Sequence, residues 1–248
     1  MKSQDPLLPP TLDFDPRQIP WSSHQGHWPA IDAAQLGASQ LSACFASPPV
    51  WAPELIRELP MGQTATVQAA VLIPIVLRGP LGNAPHVLLT QRTEHLSTHA
   101  GQIAFPGGKV DAHDLSPEAA AVREAQEEVG LDPHYVRILG SLPHYVTGTA
   151  FVITPVVALV DPAFEPRPNP HEVADVFEVP LAFLMNPANH RFHEWLRDGV
   201  MRQWYSMPYT ELADLGNGQQ QAQERFIWGA TAGMLRNFYR FLLAANSL

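Results

Sequence analysis

Three carboxylates in one short segment carry the first chemical signal. Glu124, Glu127 and Glu128 lie in PEAAAVREAQEEVG, residues 117–130. Ser116 followed by Pro117 predicts a helix start, with Ser as N-cap and Pro in the first turn. Gly130 predicts its end, because glycine readily takes the left-handed conformation after a last helical turn. At ~100° per residue and with Val122 as zero, Ala125 and Val129 fall within about 60° of it. These make one apolar stripe. Glu124, Glu127 and Glu128 fall near roughly 200°, 140° and 240°, so all three are expected opposite the core. Like charges repel, and the macrodipole disfavours anions toward a helix C-terminus. A hard divalent cation such as Mg²⁺ or Mn²⁺ accounts for the cluster, since such ions take carboxylate oxygens. Arg123 stands four residues before Glu127 and can pair with it. Gly107-Gly108 precedes the helix and could let a backbone carbonyl reach the same ions. Paired glutamates on a helix also suit a plain solvated face; the glycine pair, the helix start and Gly130 together favour the metal site.

These residues need a scaffold. Residues 1–30 are rich in Pro, Trp and His and read as an extended arm. Ala33 to Phe45 and Glu54 to Leu59 read as helical. TVQAAVLIPIVLR (66–78) and HVLLTQR (86–92) read as neighbouring strands, and 135–145 and 150–160 as two more. Residues 161–171 form a Pro-rich loop. Val173 to Val179 predicts a strand, Leu181 to Met185 a short helix, Trp195 to Met207 a hairpin, and residues 224–244 an amphipathic C-terminal helix. Strands and helices interleave, which predicts an α/β or α+β domain.

Composition narrows the class. The 248 residues carry 15 basic and 24 acidic side chains, net −9, with 46% hydrophobic residues. A full core can form, and a general nucleic-acid binder is disfavoured. The 25 prolines argue against long bundles. Val67 to Leu77 is strand-length, so no membrane span is expected, and the prolines near the N-terminus do not suit a signal peptide. The single cysteine, Cys44, excludes an internal disulfide and a thiolate zinc site. It reads as a small buried residue in a reducing, cytoplasmic setting. The pair His95 and His99 has zinc spacing but no third ligand.

Residues 107–131 resemble the Nudix box, the signature of Nudix hydrolases: G, five residues, E, seven residues, R-E-U-x-E-E-x-G-U, with U bulky and aliphatic. Gly108 and Arg123 to Leu131 carry the match. The spacing from Gly108 to Arg123 is one residue longer than that pattern. Asp114 or Leu115 stands at the early Glu, according to the end counted from, and Ala125 replaces the bulky aliphatic. LLTQRTEHLSTHAGQIAFPGGK (88–109) is similar to the further signature of the coenzyme A pyrophosphatase branch, L-L-T-x-R-[SA]-x3-R-x3-G-x3-F-P-G-G. There Thr93 replaces Ser or Ala, and Ser97 replaces the second Arg, a phosphate-gripping type of residue.

The resemblance implies a Nudix fold, a mixed β-sheet sandwiched between α-helices, over 66–248, with 1–65 as an N-terminal extension. It implies Mg²⁺- or Mn²⁺-dependent cleavage of a nucleoside diphosphate derivative, with coenzyme A or its thioesters foremost. ADP-ribose or dinucleotide hydrolysis, and a non-catalytic nucleotide sensor, stay open. The implied metal ligands are Glu124, Glu127, Glu128 and the Gly107 carbonyl. Arg123 would orient Glu127, and Glu172 between the Pro-rich loop and a strand would be the general base. Arg92 would contact substrate phosphate or pair with a carboxylate. The partner is a small molecule, with no nucleic acid and no membrane, and a homodimer stays open.

Overall fold

A computed structural model of the chain describes residues 15–23, 28–54, 67–95, 101–148, 151–197, 199–214 and 220–246. In chain order its elements are β1 (Trp21–Ser23), α1 (Ala38–Ala46), β2 (Val67–Arg78), β3 (Ala84–Arg92), β4 (Ile103–Ala104) and β5 (Gly107–Lys109). Then come α2 (Pro117–Val129), β6 (Val136–Ser141), β7 (Tyr145–Val146), β8 (Phe151–Val160) and β9 (Val173–Pro180). The last are α3 (Leu181–Leu184), β10 (Arg191–Arg197), β11 (Val200–Asp214), β12 (Gln220–Trp228) and α4 (Gly229–Ala245).

Strand β2 is the centre of a mixed eight-stranded sheet. One edge pairs in parallel with β8 from Val67 to Val76. The other edge pairs with β3 only at Ile75 to Arg78, and with β5 at Ala69 to Val71. Strand β3 likewise leaves β2 and pairs with β4 at Thr90 and Gln91. The two strands therefore fork, and the segment carrying the glycine pair fills the fork. Strand β9 lies along the outer edge of β3.

Both faces of the sheet are covered, which is why β2 and β8 read as continuous apolar runs. Side chains alternate with the period of two expected of a strand. Ala70, Leu72, Val76, Val156 and Ala158 face α2, where Ala120, Ala121, Ala125 and Val129 meet them. Ile73, Ile75, Val157 and Leu159 face the opposite way, against Leu41 of α1 and Leu235, Phe238 and Leu242 of α4. Met207 and Ile227 of a second sheet join this larger core. The mixed sheet between helices is thus as expected.

The second sheet, ordered β1-β10-β11-β12, extends that expectation. The predicted hairpin at Trp195 to Met207 is real and longer, joining β10 to β11. The helix expected over 224–244 is corrected at its start. Glu224 to Trp228 pair with β11, and the helix begins only at Gly229. Phe226 and Ile227 point to opposite faces and both are buried; a strand buried on both sides imitates a helix in hydrophobicity alone.

The described parts of the first 65 residues are tied to the C-terminal half. Strand β1 pairs with β10. The Glu54 carboxylate takes hydrogen bonds from Arg236 Nη2 (3.0 Å), Arg240 Nη1 (2.8 Å) and the Tyr205 hydroxyl (2.7 Å). Apart from Glu54, the helix expected over Glu54 to Leu59 lies outside the described residues, as do Ser97 and His99.

Candidate active site

Helix α2 is fixed at both ends by local chemistry. The Ser116 Oγ accepts from the Ala119 N–H at 3.2 Å, as an N-cap should. Gly130 sits at φ 70°, and its N–H donates to the Gln126 carbonyl at 3.0 Å. The last carbonyls of a helix need outside partners. Here the N–H groups of Asn169 and Arg167 donate to the carbonyls of Glu128 and Val129, each at 2.8 Å. The Pro-rich loop is thereby laced to the end of α2.

That lacing places Glu172. Its N–H donates to the Asn169 carbonyl (3.1 Å), and its own carbonyl accepts from the Thr93 N–H (3.0 Å). The carboxylate lies within electrostatic reach of both Glu124 and Glu128 and raises the pKa of each.

The three helical carboxylates do not share one environment. Glu128 is 3% exposed, against the expectation that all three face away from the core. It stands next to the apolar stripe, and β5 covers it there. Its Oε2 accepts from the Gly107 N–H at 3.2 Å, and its Oε1 lies 3.6 Å from Arg92 Nη1. Burial pushes its carboxyl up to about 7, with Gly107 and Arg92 opposing and Glu172 and Glu124 adding. Glu124, one turn earlier, is also raised by burial. Glu127 points outward, with its side chain 57% exposed.

The glycine pair is required by close approach. A Cβ on Gly107 would lie 2.5 Å from the Ala70 carbonyl oxygen. A Cβ on Gly108 would lie 2.5 Å from the carboxyl carbon of Glu124. Gly108 is thus the floor on which Glu124 rests.

Arg123 has a different principal partner from the one expected. Its Nε and Nη2 reach the two oxygens of Asp114, each at 3.0 Å, in a bidentate fork. Its Nη1 then touches Glu124 at 2.9 Å and Glu127 at 3.2 Å. Asp114 is the member of this charge network that the sequence did not single out as a site residue. Its spacing from Gly108, where the early Glu of the box would stand, was the available signal. The fork holds the Asp114 carboxyl below the usual range.

Arg92 pairs at 3.6 Å with the Glu128 carboxylate, one of its two expected partners. Its Nε is buried and, among the described residues, makes no hydrogen bond. Cys44 is half-buried, and burial raises its thiol pKa.

Among the described residues no three acidic, histidine or cysteine side chains already converge as a cation would require. Arg123 Nη1 stands between Glu124 and Glu127. The donor set nonetheless suits a hard divalent cation: oxygen only, mutually repelling, and partly desolvated. Among the described residues no helix is long and apolar enough to cross a membrane.

Comparison with known proteins gives consistent likenesses. A family model described as the NUDIX domain matches residues 67–203. An uncharacterized Nudix hydrolase NudL of Citrobacter koseri is 40% identical over 188 residues, 74% of this chain and 87% of that protein. A protein of the same name from Escherichia coli (strain K12 / DH10B) is 42% identical over 173 residues, 68% of this chain and 79% of that protein. Among solved structures, a Nudix hydrolase from M. smegmatis, RenU, is 30% identical with a TM-score of 0.40. That match covers 46% of this chain and 71% of the other.

Proposed function

Because the chain belongs to the Nudix hydrolase family, we propose that it hydrolyses the pyrophosphate link of a coenzyme A or acyl-coenzyme A molecule. The observation that carries the reading is Glu128. It is a buried carboxyl held by Gly107 and Arg92 and repelled by Glu124 and Glu172, and Arg92 alone does not offset its burial, so its charged form calls for a further cation.

Glu124, Glu127, Glu128 and the Gly107 carbonyl would hold Mg²⁺ or Mn²⁺. Such an ion, when bound, neutralises the diphosphate and acidifies an attacking water. Glu172 receives the proton from that water as general base, since its backbone is pinned on both sides beside the cluster. Arg92, whose side chain is 25% exposed beside Glu128, offers its guanidinium to a phosphoryl oxygen. Arg123 sets the direction of Glu124 and Glu127, with Asp114 fixing Arg123 from behind. Water adds to phosphorus and the anhydride oxygen leaves with the other phosphate. From coenzyme A the products are 4′-phosphopantetheine and adenosine 3′,5′-bisphosphate. A reducing, cytoplasmic setting suits a chain with one cysteine.

The test is product analysis with coenzyme A and Mg²⁺ or Mn²⁺, beside Glu128→Gln. Adenosine 3′,5′-bisphosphate from the wild type and none from the variant is the expected outcome. A second reading, an ADP-ribose or dinucleotide hydrolase, is favoured by Ser97, which lacks the guanidinium of the branch signature. Turnover of ADP-ribose equal to or better than that of coenzyme A would establish it instead. A nucleotide sensor without catalysis has no use for three crowded carboxylates, and any metal-dependent turnover eliminates it.

A further inference from the structure

We infer that Asn169 is a positioning residue for the reaction: its side chain shapes the turn that aims Glu172 at the carboxylate cluster. The inference rests on the general-base reading of Glu172 above and adds what holds that base in place.

Asn169 stands between Pro168 and Pro170 in the loop that follows β8. Proline has no N–H, so Pro170 can donate nothing. The N–H groups of the next residues all end on Asn169. That of His171 donates to the Asn169 Oδ1 at 3.1 Å, and those of Glu172 and Val173 donate to the Asn169 carbonyl at 3.1 and 2.9 Å. A side-chain oxygen that takes the N–H two residues on makes an Asx turn, in which asparagine imitates a further peptide group. The same residue is tied to α2, because its own N–H donates to the Glu128 carbonyl at 2.8 Å. Asn169 therefore joins the backbone of a buried cluster carboxylate to the backbone of the base.

Strand β3 holds the turn from the other side. The Thr93 N–H donates to the Glu172 carbonyl at 3.0 Å, and the Thr93 hydroxyl to the His171 carbonyl at 3.4 Å. Arg92 pairs with Val173 and Gln91 with Asp175, which leaves Ala174 over as a bulge in β9. Bulges bend a strand and re-aim the side chains near them, and they gather beside active sites. Glu172 thus sits between a clamped turn and a bulge, with its carboxylate in electrostatic reach of Glu124 and Glu128. Cutting back the Asn169 side chain leaves the main-chain bonds to Glu128, Glu172 and Val173 in place, so the loop stays attached. What is released is the His171 N–H, and with it the direction of the peptide that carries Glu172. A base displaced by about 1 Å can lose roughly a hundredfold in rate, so a loosened turn is felt in kcat.

Steady-state kinetics of the full chain with Mg²⁺ and coenzyme A, or ADP-ribose where that is the better substrate, tests the role. Asn169→Ala should lower kcat roughly tenfold and leave KM within about twofold. Asn169→Asp keeps the acceptor for the His171 N–H and should stay within about threefold of the wild type. Where Asn169→Ala fails to fold, Asn169→Ser is read in its place; its hydroxyl makes the same turn more weakly, and kcat should fall roughly threefold. Glu172→Gln should cost roughly a hundredfold or more. Adding Asn169→Ala to it should cost less than about a further twofold, because Asn169 acts through that carboxylate. A further loss of roughly tenfold in the double variant overturns the inference, as does an Asn169→Asp as slow as Asn169→Ala. Glu172→Gln at the wild-type rate overturns the general-base reading itself. A slow Glu172→Gln beside a folded Asn169→Ala at the wild-type rate overturns the positioning role alone.

Discussion

Glu128→Gln is expected to make the metal-free protein more stable at pH 8, while removing its activity. The Glu128 carboxyl stands at about 7 in the folded protein, against an ordinary 4.5. The folded chain therefore keeps a proton that the unfolded chain releases at lower pH. For an acid raised in this way, stability is fully present below pH 4.5 and is lost as pH rises toward 7. One unit is worth about 1.36 kcal/mol, so crossing the whole window costs the wild type about 3 kcal/mol. Glutamine has no charge to bury and keeps an oxygen for the Gly107 N–H. The attraction of Arg92 already enters the net shift and does not reverse its sign. Urea unfolding of both proteins in chelator, at pH 5, 6.5 and 8, measures the difference. The variant should gain on the wild type by about 2 to 3 kcal/mol between the ends of that series. Adding Mg²⁺ or Mn²⁺ should then raise the wild type and leave the variant nearly unmoved. A variant that is less stable at pH 8, or a difference that stays flat with pH, refutes the reasoning.

Gly108→Ala places a methyl against the Glu124 carboxylate, so turnover should fall roughly a hundredfold with little change in melting temperature. Gly107→Ala meets the backbone of β2 instead, and thermal unfolding should show a loss of about 2 kcal/mol or more. Asp114→Asn removes the charge behind the Arg123 fork and should lower kcat/KM roughly tenfold with the fold intact by circular dichroism. Glu54→Gln leaves Arg236, 1% exposed, without its carboxylate. A loss of about 3 kcal/mol in chemical unfolding is expected, and a loss below about 1 kcal/mol would show that the aromatic rings around Arg236 suffice.

Helix α2 was legible because its signals are local: Ser116, Pro117 and Gly130 act within a turn of the residues they cap. Strands β2, β3 and β8 were legible because long apolar runs admit few alternatives. Glu128 was misread because a helical wheel gives an angle and not a neighbour. Glu124 and Glu128 are one turn apart and both meet β5, at Gly108 and Gly107, and the contact that sets Glu128 apart comes from Arg92 of β3. The Arg123–Asp114 fork shows the same limit at shorter range. The spacing of Asp114 was visible, and its preference over Glu127 as a partner was not. The buried arginines lay beyond reach altogether. Arg225 depends on Asp175 and Glu211, and Arg236 on Glu54, and nothing near either arginine in the chain announces such distant partners. The second sheet hid behind the apolar end of β12.

The pairing of β2 also sets an order of events during synthesis. One edge of this strand waits for β8, whose Phe151 is the partner of Val67. At roughly 5–20 residues per second, a ribosome takes about 4 to 17 s to make the intervening chain. In that interval the β8 edge of an apolar twelve-residue strand stays open, while β3, β5 and α2 can already cover its other edge and one face. An open apolar edge of this kind is a template for other chains. Recovery of soluble protein should therefore fall steeply with expression temperature and recover when a holdase is supplied, even for variants whose finished fold is as stable as the wild type.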